Sequence, residues 1–289
     1  MSYVEFRPAP ALAHLIKCVW VFEAEPSQAF GRPERIVPDG NPELVVHFGH
    51  PFGVLTPAGV VTPQPRAFLM GQMTKPVSLD SSQGAAGVAG VRFHPGSART
   101  ALGAPMDEIS DSSLKVEDFD PGAAERLVDE IASAPTAAAR AWSLQRYVAA
   151  RAKRTAHFQD DAVNDWVARI AQARGVLSIA DLADDSGLSI RQLERRFLKQ
   201  IGVPPRQFVN VVRFRRVFDL LTTGSRQDWA RLALEAGYFD QSHLIRDFHR
   251  FIGCSPSQFV SQMRGLTAVM IGLDEDLGCR VVTRREALA

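Results

Sequence analysis

The chain has 289 residues, of which 46% are hydrophobic and 22% charged, and its net charge is +1. That length suggests about two globular domains with ample core, and no apolar run reaches the ~18 residues that a membrane span needs. Cys18, Cys254 and Cys279 are odd in number and far apart, which argues for reduced thiols in a cytoplasmic protein and against a disulfide frame or a zinc knuckle.

The start, Met1-Ser2-Tyr3-Val4-Glu5, has no basic n-region, so no signal peptide is expected. Residues 1–120 read as a β-rich domain. The β-prone runs Cys18–Phe22, Glu43–Phe48, Phe68–Met70 and Val88–Phe93 alternate with turn signals such as Pro38-Asp39-Gly40-Asn41-Pro42 and Thr62-Pro63-Gln64-Pro65. Many short strands with such turns suggest a small barrel or a sandwich. Trp20, Phe22, Val46, Phe48 and Phe93 are expected either to line an apolar pocket or to fill the core solidly. Glu43, His47, His50 and His94 raise the question of a metal. His47 and His50 are three apart beside a strand, and the His-x-His pair of a cupin-type site is missing, so neither metal nor cofactor is expected. No phosphate loop, Cys-x-x-Cys or Ser-His-Asp order stands out, so no enzyme activity is expected.

Residues 121–160 turn helical. Ala123–Ser133 and Thr136–Ala150 carry apolar residues at helical spacing, with Pro135 between them. Arg151-Ala152-Lys153-Arg154 and the polar residues up to Asp161 read as a linker. A third domain, residues 161–264, opens with a helix over Asp161–Arg174 that points Val163, Trp166, Val167 and Ile170 inward. The tail, residues 265–289, holds Val269, Met270 and Ile271 and an acidic knot at Asp274-Glu275-Asp276; it either packs on the domain or frays.

Within 161–264 one pattern occurs twice. Leu193, Arg195, Phe197, Gly202, Pro205 and Phe208 recur 51 residues later as Leu244, Arg246, Phe248, Gly253, Pro256 and Phe259. Upstream, Leu182, Ala183 and Gly187 recur 50 residues later as Leu232, Ala233 and Gly237, so the turn gains one residue. Each copy reads as a helix, a glycine that ends it and a second helix. Glycine enters the left-handed terminal conformation cheaply, and Ser189 and Asp240 are suited to cap the helices that follow. Leu193 with Phe197, and Leu244 with Phe248, are inward i, i+4 pairs. Arg206–Leu221 bridges the copies. This is a double helix-turn-helix whose second helices turn long polar side chains outward.

Charge follows the duplication. Residues 165–264 hold 15 Lys/Arg against 10 Asp/Glu, so the rest of the chain has a net acidic balance. A local basic surplus suits phosphate binding.

The region from Val163 to Met263 resembles the AraC/XylS family of bacterial transcription regulators. The match rests on Ala233, Ala236-Gly237-Tyr238, Asp240-Gln241-Ser242, Leu244, Arg246, Phe248, Gly253, Ser255-Pro256 and Phe259. Tyr238 and Leu244 stand where the family often has Phe, and Phe259 where it often has Tyr; these are volume-similar core changes. The N-terminal part is similar, more loosely, to the family's β-rich sensor or dimerisation domains. The implied fold is α+β: a β-rich, barrel- or cupin-like N-terminal domain and an all-α C-terminal domain with two helix-turn-helix units.

The resemblance implies a cytoplasmic, sequence-specific transcriptional activator that answers a small-molecule effector. Its implied partners are double-stranded DNA, RNA polymerase and a second copy of itself, with no membrane. Arg191, Glu194 and Arg195 in the first unit, and Gln241, Ser242, His243 and Arg246 in the second, are expected at base edges. Ser189, Arg196, Lys199, Arg206 and Arg250 are expected at phosphates; Arg196 has an alternative partner in Asp185 or the bridging helix. Two other readings stay open. In one, the N-terminal domain makes only protein contacts. In the other, an enzyme is fused to the DNA-binding domain, which needs a reactive cysteine cluster that Cys18 alone does not supply.

Overall fold

The computed structural model describes residues 2–25, 33–56, 58–80, 84–222, 228–262 and 280–282. Its N-terminal half is built on strands, the central ones of which are apolar on both faces. In chain order these are β1 (Ser2–Phe6), β2 (Ile16–Ala24), β3 (Glu34–Ile36), β4 (Glu43–His47), β5 (Gly53–Leu55), β6 (Val61–Pro63), β7 (Ala67–Met70), β8 (Val77–Asp80) and β9 (Ala86–Phe93). Short α1 (Ser97–Leu102), β10 (Ser113–Lys115) and α2 (Val116–Phe119) follow, then α3 (Ala123–Ser133) and α4 (Ala137–Thr155). Late in the chain, β11 (Arg280–Val282) pairs in parallel with β1. The remaining tail residues that the sequence left unplaced, Val269–Ile271 and Asp274–Asp276 among them, lie outside the described residues.

The strands form two open sheets, ordered β10-β7-β4-β9-β2-β1-β11 and β3-β8-β5-β6, so of the barrel and the sandwich that the sequence left open the β-rich domain is not a closed barrel. Successive side chains in a strand point to opposite faces. In the larger sheet, Val19, Val21, Leu44, Val46, Val91 and Phe93 therefore share one face, and α1, α3 and α4 cover it with Leu102, Leu127, Ile131, Leu144 and Val148. Withdrawing each such side chain from water contributes about 1.5–3 kcal/mol. The other face carries Trp20, Phe22, Val45, Phe68 and Val88. Because both faces are covered, β2 and β9 read as almost continuous apolar runs rather than as alternations.

The expected linker at Arg151–Arg154 belongs to α4 instead. Val148, Arg151 and Thr155 follow one another at helical spacing on its buried side. Arg151 donates to Leu102 O at 2.6 Å and pairs with Asp120 at 3.3 Å, and Thr155 Oγ1 donates to Thr100 O at 2.7 Å. Residues 121–155 are thus the second layer of the β-rich domain, and the chain leaves it through a 3-10 turn at Ala156–Phe158.

The C-terminal domain runs α5 (Asp161–Gln172), α6 (Ile179–Asp185), α7 (Ile190–Ile201), α8 (Pro205–Thr222), α9 (Trp229–Glu235), α10 (Gln241–Phe251) and α11 (Pro256–Gln262). It has two cores. Val163, Trp166, Leu182, Leu193, Phe197 and Phe208 belong to the first; Phe214, Phe218, Leu232, Leu244, Phe248 and Phe251 belong to the second. Helix α8 contributes to both. Among the described residues no helix is long and apolar enough to cross a membrane.

The domains are stitched together at two places. Beside the first unit, Gln200 Nε2 donates to Gly96 O at 2.8 Å, Arg99 donates to Lys199 O at 3.0 Å, and Ser110 Oγ donates to Gly202 O. Beside the second, Arg35 donates to Ile252 O at 3.2 Å, and Val37 is buried among the second-unit core residues.

Phe214 is fully buried and meets the rings of Phe218, Phe248 and Phe251 at centroid distances of 5.0–5.4 Å. Phe214→Ala is expected to cost about 3–5 kcal/mol of stability. Urea unfolding checks this, since the midpoint should fall with it.

Candidate nucleic-acid interface and sensor cavity

Each unit fixes the start of its second helix by a cap. Gly187 and Gly237 end α6 and α9 at φ of +64° and +86°, where any other residue is strained. Ser189 Oγ then accepts the Gln192 N–H at 3.3 Å, and Gln192 Oε1 accepts the Ser189 N–H at 2.9 Å, a reciprocal capping box on α7. Asp240 Oδ1 accepts the His243 N–H at 2.7 Å and caps α10.

With the starts fixed, the buried residues decide what faces out. Helix α7 buries Leu193, Phe197, Gln200 and Ile201, which leaves Arg191, Glu194 and Arg195 exposed. Helix α10 buries Leu244, Asp247, Phe248 and Phe251, which leaves Gln241, Ser242 and Arg246 exposed. His243 is half-buried, its ring edge-on to Tyr238 at 5.0 Å. Lys199, Arg206 and Arg250 are exposed, and Ser189 is engaged as the cap.

Arg196 is engaged too. Its Nε donates to Asp160 Oδ2 at 3.0 Å, and its guanidinium lies 5.3 Å from the Trp166 ring centroid. The hydrogen bond to Asp160 raises its pKa. Asp185, the alternative partner weighed from the sequence, pairs with Arg169. Asp160 also caps α5 through the Val163 N–H at 3.2 Å, so one carboxylate ties the start of α5 to α7. Phe239, at the turn before α10, is 87% exposed; the sequence reading gave it no role.

A second feature lies between the sheets. A cavity of about 90 Å³ is walled by Trp20, Phe22, Val45 and Phe68 on the larger sheet and by Ile36 and Leu79 on the smaller, and Arg215 of α8 reaches its edge. Of the five residues proposed for a pocket from the sequence, Trp20 and Phe22 line it. Val46 and Phe93 do not, because the pleat turns them to the helix-covered face. Phe48 packs against that same core, beneath the guanidinium of Arg140 at 4.2 Å. The sequence reading missed Phe68, Leu79 and Arg215. Only strand pairing and the docking of α8 bring these together.

Polar groups around the cavity are largely matched. Arg92 is buried; its Nε lies 2.6 Å from Glu43 and 3.5 Å from Asp39, and its NH1 lies 3.5 Å from Glu5. Burial opposes the charge of Arg92, but Glu43 and Asp39 outweigh it and hold the guanidinium ionised. Tyr3 donates to Glu5 at 2.7 Å. The Trp20 Nε1–H is the exception, with no hydrogen-bond partner among the described residues. Its indole lies so close over Gly90 that a Cβ there would come within 2.3 Å of the ring. Burial pushes the Cys18 thiol up to about 12, which keeps it protonated and a poor nucleophile.

Residues 4–115 match a family model described as a domain of unknown function (DUF6597), and residues 182–262 match one described as a helix-turn-helix domain. An uncharacterized HTH-type transcriptional regulator of Haemophilus influenzae is 31% identical over 102 residues, which are 35% of this chain and 34% of that protein. The chain thus spans about a third of the length of the curated relative it matches. Among solved structures, ToxT from Vibrio cholerae is similar over 86% of this chain and 98% of its own, at 13% identity and a TM-score of 0.46. A probable AraC family transcriptional regulator from Rhodopseudomonas palustris CGA009 is similar over 37% of this chain and 100% of its own, at 25% identity and a TM-score of 0.32.

His47 stands behind the cavity wall, buried, with Nε2 3.1 Å from Gln64 Oε1 and its ring stacked on Phe68. Burial lowers its pKa from 6.5 to about 4. The unfolded chain therefore takes up a proton below pH 6.5 that the folded chain refuses until about pH 4, so stability is full above this window and falls as the pH drops through it. Between about pH 7 and 5 this ring should lower stability by roughly 2 kcal/mol. Urea midpoints at the two pH values check this, and His47→Gln should show a clearly smaller difference between them.

Proposed function

We propose that the chain is an AraC-type helix-turn-helix transcriptional regulator, in which α7 and α10 read DNA in successive major grooves while the N-terminal domain answers a small molecule; the helix-turn-helix match over residues 182–262 and the likeness to a regulator over 102 residues support this reading. The observation that carries this is the pair of capped helices on one bridging helix, each with its apolar side buried and its long polar side chains outward. In this reading Arg191 and Arg195 fork onto guanine, Glu194 accepts from cytosine N4, and Gln241 suits adenine. Ser242 and His243 are shorter or neutral, and Arg246 takes guanine or phosphate. Ser189, Lys199, Arg206 and Arg250 hold phosphates, which set register without specifying sequence. Arg196 joins them only by leaving Asp160 and Trp166, so its first role is to brace α7. The family resemblance supports a cytoplasmic activator, with RNA polymerase as partner and a homodimer as the working form.

The test is binding-site selection with the full-length protein. Arg195→Ala should relax preference within one patch of the selected site, losing about 1–3 kcal/mol of discrimination there and leaving the other patch unchanged. Arg250→Ala should weaken all sequences about equally and lower the salt slope by about one unit. Uniform weakening by Arg195→Ala together with a shifted consensus for Arg250→Ala would reverse the two roles. A full-length protein with no salt-dependent DNA binding would end the proposal.

A further inference from the structure

The two units differ by one residue in the turn, and the structure shows which one it is. As the chain leaves α6, the Leu188 N–H donates to Ala183 O at 3.0 Å; as it leaves α9, the Tyr238 N–H donates to Ala233 O at 2.9 Å. Both ends of this bond recur 50 residues apart, whereas the caps that follow, Ser189 and Asp240, are 51 apart. The added residue is therefore Phe239. In the first unit Leu188 stands just ahead of the cap and packs on the core that holds Leu193, the usual closure of the residue before a cap over the fourth residue of its helix. In the second, Tyr238 takes that inward place at 3% exposure. Phe239 is left 87% exposed, the most exposed large apolar side chain among the described residues.

Its place leaves the ring little freedom. Gly237 at φ +86° on one side and the Asp240 cap on the other fix the backbone, and Tyr238 already fills the inward position. Phe239 is thus held outward at the N-terminal end of α10, next to the exposed Gln241 and Ser242. The exposed charges of α10 are Arg246 and Arg250, while its one carboxylate, Asp247, is buried. A ring at the head of a helix with cations further along suits a polyanion that also offers an apolar group. In the major groove the N-terminal end of a recognition helix meets base edges, and the apolar group found there is the 5-methyl of thymine.

We propose that Phe239 is a base-reading residue of the second unit, and that it selects thymine by apolar contact with the 5-methyl group. This rests on the regulator reading above. The two units then read by different chemistry. The first relies on the forked donors of Arg191 and Arg195, and the second adds a methyl contact to the short polar side chains of Gln241 and Ser242. The turn residue that the first unit lacks supplies that contact.

Deoxyuridine in place of thymidine removes the methyl group and leaves every hydrogen-bonding edge intact. The experiment places it at each thymine in turn within the patch that Arg195→Ala leaves unchanged, and measures the affinity of the full-length protein. One position should lose about fourfold, the scale of one buried methyl. Phe239→Ala should weaken binding to the thymine site by a similar factor and make it indifferent to deoxyuridine at that position, so the two losses do not add. The ring touches neither core, so the variant should keep the thermal midpoint of the unmodified protein. The assignment is overturned if the selected patch holds no thymine, or if the unmodified protein is indifferent to deoxyuridine throughout it, an arm that needs no variant. It is overturned as well if Phe239→Ala stays as sensitive to deoxyuridine as the unmodified protein, or if it binds DNA unchanged and loses only transcription, which would turn the ring toward a protein. Unmodified protein that binds no DNA fails the regulator reading itself; protein that binds a selected site without sensing the methyl fails this assignment alone.

Discussion

One helix has to serve two cores. Near its start, α8 gives Phe208 and Val209 to the first helix-turn-helix unit; further on it gives Phe214, Val217, Phe218 and Leu221 to the second. Its 18 residues span about 27 Å at ~1.5 Å per residue. Bending α8 between the two sets would open one core or the other, and close-packed interiors lose contacts sharply when a gap appears. Helices α7 and α10 therefore keep a fixed relation unless something acts on α8 itself. The N-terminal domain touches the first half of α8 through Gly40 against Phe208 and Val211, and reaches the second core through Val37.

The larger sheet has a division of labour that follows from its pleat. One face is filled by α1, α3 and α4 and holds the domain together. The opposite face is covered less completely, by the smaller sheet and by the C-terminal domain, and that is where the cavity remains. The buried Arg92 cluster forms part of its lining. Such a cluster is poor evidence for stability, because taking charges out of water offsets most of their attraction. It does fix position, and Asp39 of the Arg35–Gly40 segment is one of its members, so the segment is tied to the sheet as well as to α8.

The helical half was legible in the sequence because its determinants are local. Gly187, Ser189, Gly237 and Asp240 mark the turns and caps by chemistry that acts within a few residues, and the i, i+4 apolar pairs fix which side of α7 and α10 faces out. The strong strands were legible for the same reason. What escaped was set by distant partners. Val46 and Phe93 have the composition of pocket residues, but strand register sends them to the other face. Arg151–Arg154 looks like a polar linker until Asp120 and Leu102 are brought beside Arg151. Arg196 looks like a free phosphate holder until Asp160, 36 residues away, is placed against it. The docking of Val37 has no local signature, since one valine after a short strand reads as ordinary turn sequence.

The central claim is that a bridging helix locked into both cores presents two recognition helices as one rigid reader. Hydroxyl-radical footprinting of the full-length protein on a selected site tests it most directly. Two protected patches on one face of the duplex, about one helical turn or ~10 bp apart, are the expected result. A single patch, or two patches whose separation varies from site to site, would contradict it.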